Sequence, residues 1–196
     1  MTGQGLGRPR DLEIDAAILV AARELLAEVG YAQVTMDATA ARAGTSKAAI
    51  YRRFKAKAEL LFAAAVHGSD VQVPADTGSL RGDLVALGRR IRSDMSSPAA
   101  REAAPQVIAE INRSPEVSAR LRSMFVSSEL AEIEAILARA VRRKELPRMP
   151  NVDIVHRLLG GALFFSIFVV DETINDAALA ELVDVLTAGL TATQLP

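Results

Sequence analysis

Apolar residues recur at helical steps near the start of the chain. Ile14, Ala17, Ile18, Ala21, Ala22, Leu25 and Leu26 lie three and four residues apart and so share one stripe. This predicts a first helix over about 11–29, closed by Gly30 as a residue free to take a positive φ. Thr35 precedes a second short helix expected through about Ala43, with Asp37 in its first turn complementing the positive end of the helix dipole and Gly44 ending it. Ser46 then stands where it can cap a third helix carrying Lys47, Ala48, Ala49, Ile50 and Tyr51. A fourth is expected from about Ala56 to His67.

The periodicity stops between Gly68 and Gly78, a stretch holding Pro74, Ser69, Asp70, Asp76 and Thr77, and residues 68–79 read as a linker. Beyond it Leu80, Leu84, Leu87, Ile91 and Met95 mark a helix of about four turns. Ser97-Pro98 and Ser114-Pro115 each combine a capping serine with proline at the first helical position, where the missing N–H costs nothing. Pro105, between them, predicts a kink or break. A long helix over about 115–144, a loop at 146–150 and two final helices over about 152–170 and 175–190 complete the pattern. With no strand periodicity and no repeat, the fold class is all-α: a three-helix N-terminal module followed by a helical bundle, about nine helices in total.

Composition sharpens this picture in three places. There is no cysteine among the 196 residues, which removes disulfides, thiolate metal sites and a cysteine nucleophile. Net charge is −1, yet from Ala38 to Ala58 the charged residues are all basic: Arg42, Lys47, Arg52, Arg53, Lys55 and Lys57. One region therefore faces an anion while the rest of the chain is acidic on balance. Residues 1–11 hold no apolar core for a signal peptide. The longest uncharged apolar run, Leu158 to Val170, falls short of the roughly 20 residues that cross a bilayer, so it reads as a buried helix, with no membrane partner and a cytoplasmic location expected. Asp153 and His156 have helical spacing but no third ligand, so no metal is expected and a carboxylate cap fits better. His67 has no acidic partner at helical spacing and reads as a surface or core histidine. Nucleophile elbow, phosphate-cradling glycine loop and His–carboxylate cluster are all absent, so neither an enzyme nor a cofactor is expected.

The basic region has the layout of a DNA-binding helix-turn-helix. The second helix of that motif lies in the major groove and needs short residues at its N-terminal end, which Ser46, Lys47, Ala48 and Ala49 supply. Gly44 suits the turn, Ala40 and Ala43 let the helices approach, and Ile50 and Phe54 face inward. Tyr51 can meet a thymine methyl or a phosphate, while Arg52, Arg53 and Lys57 are placed to neutralise phosphates. Upstream, Arg8 and Arg10 either form a minor-groove arm within residues 1–10 or belong to a solvated tail.

The string from Thr35 to Phe54, with Ala43-Gly44, Ser46-Lys47 and Tyr51, followed by Lys57 and Leu60, resembles the DNA-binding signature of the TetR family. Thr39 stands where an aliphatic residue is common, Thr45 where a valine-like residue is, and Lys55, Ala56 and Ala58 where Pro, Ser and Glu are frequent. The resemblance implies that Thr35 and Lys57 hold phosphates and that Ser46, Lys47, Ala48, Tyr51 and Arg52 form the recognition surface, with Thr45 beside them. It implies a DNA-binding domain over 1–67 and a ligand-binding and dimerisation domain over 80–196. The latter would enclose a largely apolar small-molecule effector, for which Met95, Ile108, Met124, Phe125, Phe164 and Phe168 are candidate contacts, and pair with a twin through its last two helices. The expected partners are thus double-stranded DNA, an effector and a second copy of the chain. The expected function is a repressor released from a palindromic operator by its effector; the alternative is a dimeric architectural DNA-binding protein that senses nothing.

Overall fold

The computed structural model describes residues 8–66, 76–113, 115, 116, 119 and 126–192. Residues 1–7, His67, most of the linker, Met124 and Phe125 lie outside the described residues, as do the side chains of Arg8 and Arg10. Among the described residues there is no strand, and nine α-helices can be bounded. They are α1 (Arg8–Gln33), α2 (Met36–Arg42), α3 (Lys47–Arg53), α4 (Lys57–Val66), α5 (Leu80–Met95), α6 (Pro98–Arg113), α7 (Ser127–Arg142), α8 (Val152–Phe164) and α9 (Asp176–Ala192). A π turn, Phe165–Val169, extends α8.

The helices form two compact units, α1–α4 with α6, and α5 with α7–α9. A single cut at 68–79 would place α6 with the C-terminal helices, but α6 packs on α1 and α4. The reason lies in its side chains. Ala99, Ala100, Ala103, Ala104 and Val107 form a buried face of small residues, which lets α6 lie close against α4 and α1. Ser97 Oγ accepts from Ala100 N at 3.2 Å, so the serine–proline start works as expected. Pro105 neither splits nor ends α6, which runs unbroken to Arg113; the ring is exposed, and the hydrogen bond it cannot donate is lost on the solvent side.

In the first unit, Ile18, Leu26, Ile50, Leu60 and Leu61 are fully buried, each contributing about 1.5–3 kcal/mol relative to an exposed side chain. The expected α1 stripe is its centre. Gly30 ends the regular part of α1 at φ 76°, ψ 164°, angles open essentially only to glycine. Three more residues make a helical turn before Thr35.

In the second unit, α5, α7, α8 and α9 bury Leu84, Leu87, Ile133, Ile136, Leu137, Val155, Leu159, Leu163, Leu179 and Val183 in one core. At one end Asp83, fully buried on α5, accepts from Thr77 N (2.8 Å), Thr77 Oγ1 (2.7 Å) and the guanidinium groups of Arg143 (3.1 Å) and Arg139 (3.3 Å) on and just after α7. Burial pushes the Asp83 carboxyl up, but the two Thr77 donors and the two arginines outweigh it and hold it below its ordinary value.

The apolar run on α8 is only half buried, which corrects the reading of it as a buried helix. Val155, Leu159, Leu163 and Ile167 face the core, while Ile154, Leu158, Phe165, Val169 and Val170 are 48–61% exposed. Val152–Val169 is an 18-residue stretch of mean hydropathy 1.7, long and apolar enough by those measures to cross a membrane, but one face is committed to the core and the first two turns carry Asp153, His156 and Arg157. Asn151, not Asp153, caps α8, its Oδ1 accepting from Ile154 N at 3.2 Å. His156 Nε2 lies 2.6 Å from Glu129 Oε2.

Candidate nucleic-acid interface

Two side-chain caps set the geometry of the α2–α3 pair. Thr35 Oγ1 accepts from Ala38 N, and Ser46 Oγ from Ala49 N, each at 3.1 Å. Each satisfies an amide left over at a helix start, a cap that typically stabilises by about 1 kcal/mol. Between them Gly44 takes φ 62°, with open space where a Cβ would stand, so it is the backbone angle rather than crowding that calls for glycine there. Thr45 is half-buried in this turn, its amide bonded to Ala40 O at 3.0 Å. The atypical Thr39 is fully buried, and its hydroxyl is satisfied by donating to Thr35 O at 2.9 Å.

Ala49 and Ile50 turn α3 inward, which leaves Lys47, Ala48, Tyr51 and Arg52 exposed together on its outer face. Ser46 opens the same face. Five of the expected recognition residues are thus brought to one surface. Lys57, in the first turn of α4, lies 4.7 Å from the centre of the Tyr31 ring and donates to Ala32 O at 3.2 Å, so its ammonium is held at the end of α1. Arg8 and Arg10 fall within the first turn of α1 rather than ahead of it.

The run of basic residues is free of acids along the chain but not in space. Lys47 Nζ pairs with Asp37 at 2.6 Å, and this hydrogen bond, against slight desolvation, raises its pKa above the usual lysine value. Arg42 is likewise raised, first by its 2.6 Å hydrogen bond to Glu28, whose carboxyl is lowered in return. Arg53 is bound to Asp15 of α1 and to Ala49 O, so it pins α3 to α1 rather than standing ready for a phosphate. Arg52 makes no hydrogen bond or ion pair among the described residues. Ion pairs as exposed as Lys47–Asp37 are weak and screened by salt, so a phosphate can replace the carboxylate.

Two carboxylates escaped the sequence reading. Glu59, fully buried, accepts from Lys55 N at 2.6 Å and so ties the first turn of α4 back to the chain just before it. A glutamate in the first turn of a helix, where it complements the positive end of the dipole, is the local signal that could have singled it out. Glu102 on α6 accepts from Tyr31 N at 2.6 Å; nothing local to either residue points to the other.

The described candidate effector contacts fall in both units. Phe164 and Phe168 meet as tilted rings with centres 5.0 Å apart, and Met95 packs on the same unit's core, while Ile108 belongs to the first unit.

Comparison with known proteins agrees with this geometry. Residues 18–64 match the family model described as bacterial regulatory proteins, tetR family, and residues 74–186 match the tetracyclin repressor-like C-terminal domain. The chain belongs to the TetR family. An uncharacterised helix-turn-helix transcriptional regulator of Mycobacterium tuberculosis is 39% identical over 185 residues, 93% of this chain and 89% of that protein. The DNA-binding transcriptional repressor TetR of Mycobacteroides abscessus is 33% identical over 172 residues, 86% of this chain and 89% of its own. Among solved structures, the TetR-family transcription regulator SCO0332 superposes with a TM-score of 0.76 at 26% identity, covering 90% of this chain and 98% of that one. The TetR-family matches span both units, so this is a helix-turn-helix transcriptional regulator with the family's C-terminal helical domain.

Proposed function

We propose that this TetR-family regulator is a homodimeric repressor released from a palindromic operator by a small, largely apolar effector. The observation that carries the reading is the outer face of α3, where Lys47, Ala48, Tyr51 and Arg52 are exposed together beyond a serine cap. Those side chains suit base edges and phosphates of a major groove, while Thr35 and Lys57 mark helix starts at which phosphates bind well.

Dimerisation through α8 and α9 is supported by the apolar stripe of Ile154, Leu158, Phe165 and Val169, joined on α9 by Val185 at 69% exposure. An unpartnered stripe of this kind on the last two helices suits an isologous contact, and two-fold symmetry would present two recognition helices to a palindrome. Among the candidate effector contacts, Phe164, Phe168 and Met95 lie in this same unit.

Genomic fragments selected on the protein supply the operator. Tyr51→Ala and Lys47→Ala are expected to abolish its binding while the dimer remains folded; normal binding by both variants would overturn the assignment.

A further inference from the structure

A cation on a DNA-reading surface is drawn to every phosphate, so it adds affinity for all duplexes alike unless something restrains it. The outer face of α3 carries two exposed cations in different states. Arg52, in the last turn, has no hydrogen bond or ion pair among the described residues. Lys47, the first residue of α3, is held: its Nζ lies 2.6 Å from Asp37 Oδ2 on α2. The restraint is built into two helix starts. Asp37 is a short side chain in the first turn of α2, behind the Thr35 cap, and Lys47 follows directly on the Ser46 cap of α3. Both backbones are thus fixed, and the long lysine reaches across to a carboxylate with few rotamers of its own. The pair stays open to a ligand, with 48% of the lysine side chain and 69% of the aspartate exposed.

We propose, resting on the reading of the α3 face above, that Asp37 is a specificity-determining residue: it withholds Lys47 from phosphates and presents it to a base edge with two acceptors, such as guanine O6 and N7. An ammonium has three N–H donors, and Asp37 takes one of them. The other two suit the guanine pair in the major groove, so a base edge is read with the ion pair kept. A phosphate replaces the carboxylate instead of adding to it. That exchange swaps one anion for another and leaves the Asp37 carboxylate unpaired in the negative potential of the duplex, so it gains little. Non-specific binding then draws on Arg52 and the other cations, while Lys47 counts mainly where the sequence is right.

The test measures binding of the full chain to the operator recovered by genomic selection and to a scrambled duplex of equal length and composition. Fluorescence anisotropy across a salt series is read for wild type, Asp37→Asn, Lys47→Ala and the double variant. Asp37→Asn is expected to bind the scrambled duplex roughly three- to tenfold more tightly, its slope of log affinity against log salt steeper by about 1 because Lys47 joins the phosphates. Operator affinity should rise by less than about twofold, so the ratio of operator to scrambled affinity falls. In the Lys47→Ala background the same substitution should leave the scrambled slope unchanged. An unchanged ratio overturns the role of Asp37, as does a steeper slope that persists without Lys47, which would mark Asp37 as a bare repulsive charge. Should Asp37→Asn not fold, Asp37→Ser takes its place with the same outcomes. Normal operator binding by Lys47→Ala overturns the reading of the α3 face itself. Defective operator binding by Lys47→Ala with an unchanged ratio in Asp37→Asn keeps that reading and overturns only the role given to Asp37.

Discussion

Replacing Gly30 by alanine probes the junction at which the end of α1 meets α6. At φ 76°, ψ 164° any side chain is strained, by about 1–3 kcal/mol. A Cβ there would also stand 2.6 Å from Glu102 Oε1, and the carboxylate must swing away. Doing so breaks its 2.6 Å bond to Tyr31 N, worth about 1 kcal/mol at this exposed position. The lower entropy of the unfolded alanine chain offsets roughly 0.5 kcal/mol. The net expected loss is about 2–3 kcal/mol, on the order of 5–10 °C in melting temperature for a chain of this size. Urea unfolding followed by circular dichroism on wild type, Gly30→Ala, Glu102→Ala and the double variant gives the measurement. Glu102→Ala alone should cost about 1 kcal/mol, and the double variant no more than Gly30→Ala, because the bond is already lost there. A loss under about 0.5 kcal/mol for Gly30→Ala, or fully additive single effects, would refute the reasoning.

Three further outcomes follow from the same structure. Ser46→Ala removes the cap of α3 and should lower stability by about 1 kcal/mol and weaken operator binding more than Ser46→Gly does; equal stability of wild type and Ser46→Ala in urea would contradict the cap. Asp83→Asn leaves Arg139 and Arg143 without their buried anion and should cost roughly 2–3 kcal/mol. Because the folded Asp83 pKa is lowered, its contribution is present above the ordinary aspartate value near pH 4 and is lost as the pH falls through the lower folded value, so acid melts of the variant should show a shallower decline than wild type. Leu158→Asp or Val185→Asp, at exposed apolar positions of α8 and α9, should yield monomers by sedimentation and weaken operator binding without unfolding the chain; an unchanged dimer would place the interface elsewhere.

What could be read from the sequence was what a few neighbouring residues decide among themselves. The caps Thr35 and Ser46 each act on an amide three residues ahead, the Gly30 and Gly44 angles follow from turns beside them, and the apolar stripes of α1, α5 and α9 follow from helical periodicity. The all-α class and the helix-turn-helix were legible for that reason. Tertiary structure decided which groups meet across the chain. Tyr31 is tied to Glu102, 71 residues away, and Arg53 to Asp15, 38 residues away, the latter with Arg42–Glu28 and Lys47–Asp37 partly neutralising in space a stretch free of acids along the chain. Packing also placed α6 with the DNA-binding helices, because its small-residue face fits α1 and α4, and left half of the apolar surface of α8 outside the core. Periodicity identifies a helix and its apolar sides; it carries no information on which neighbour, if any, will cover each of them.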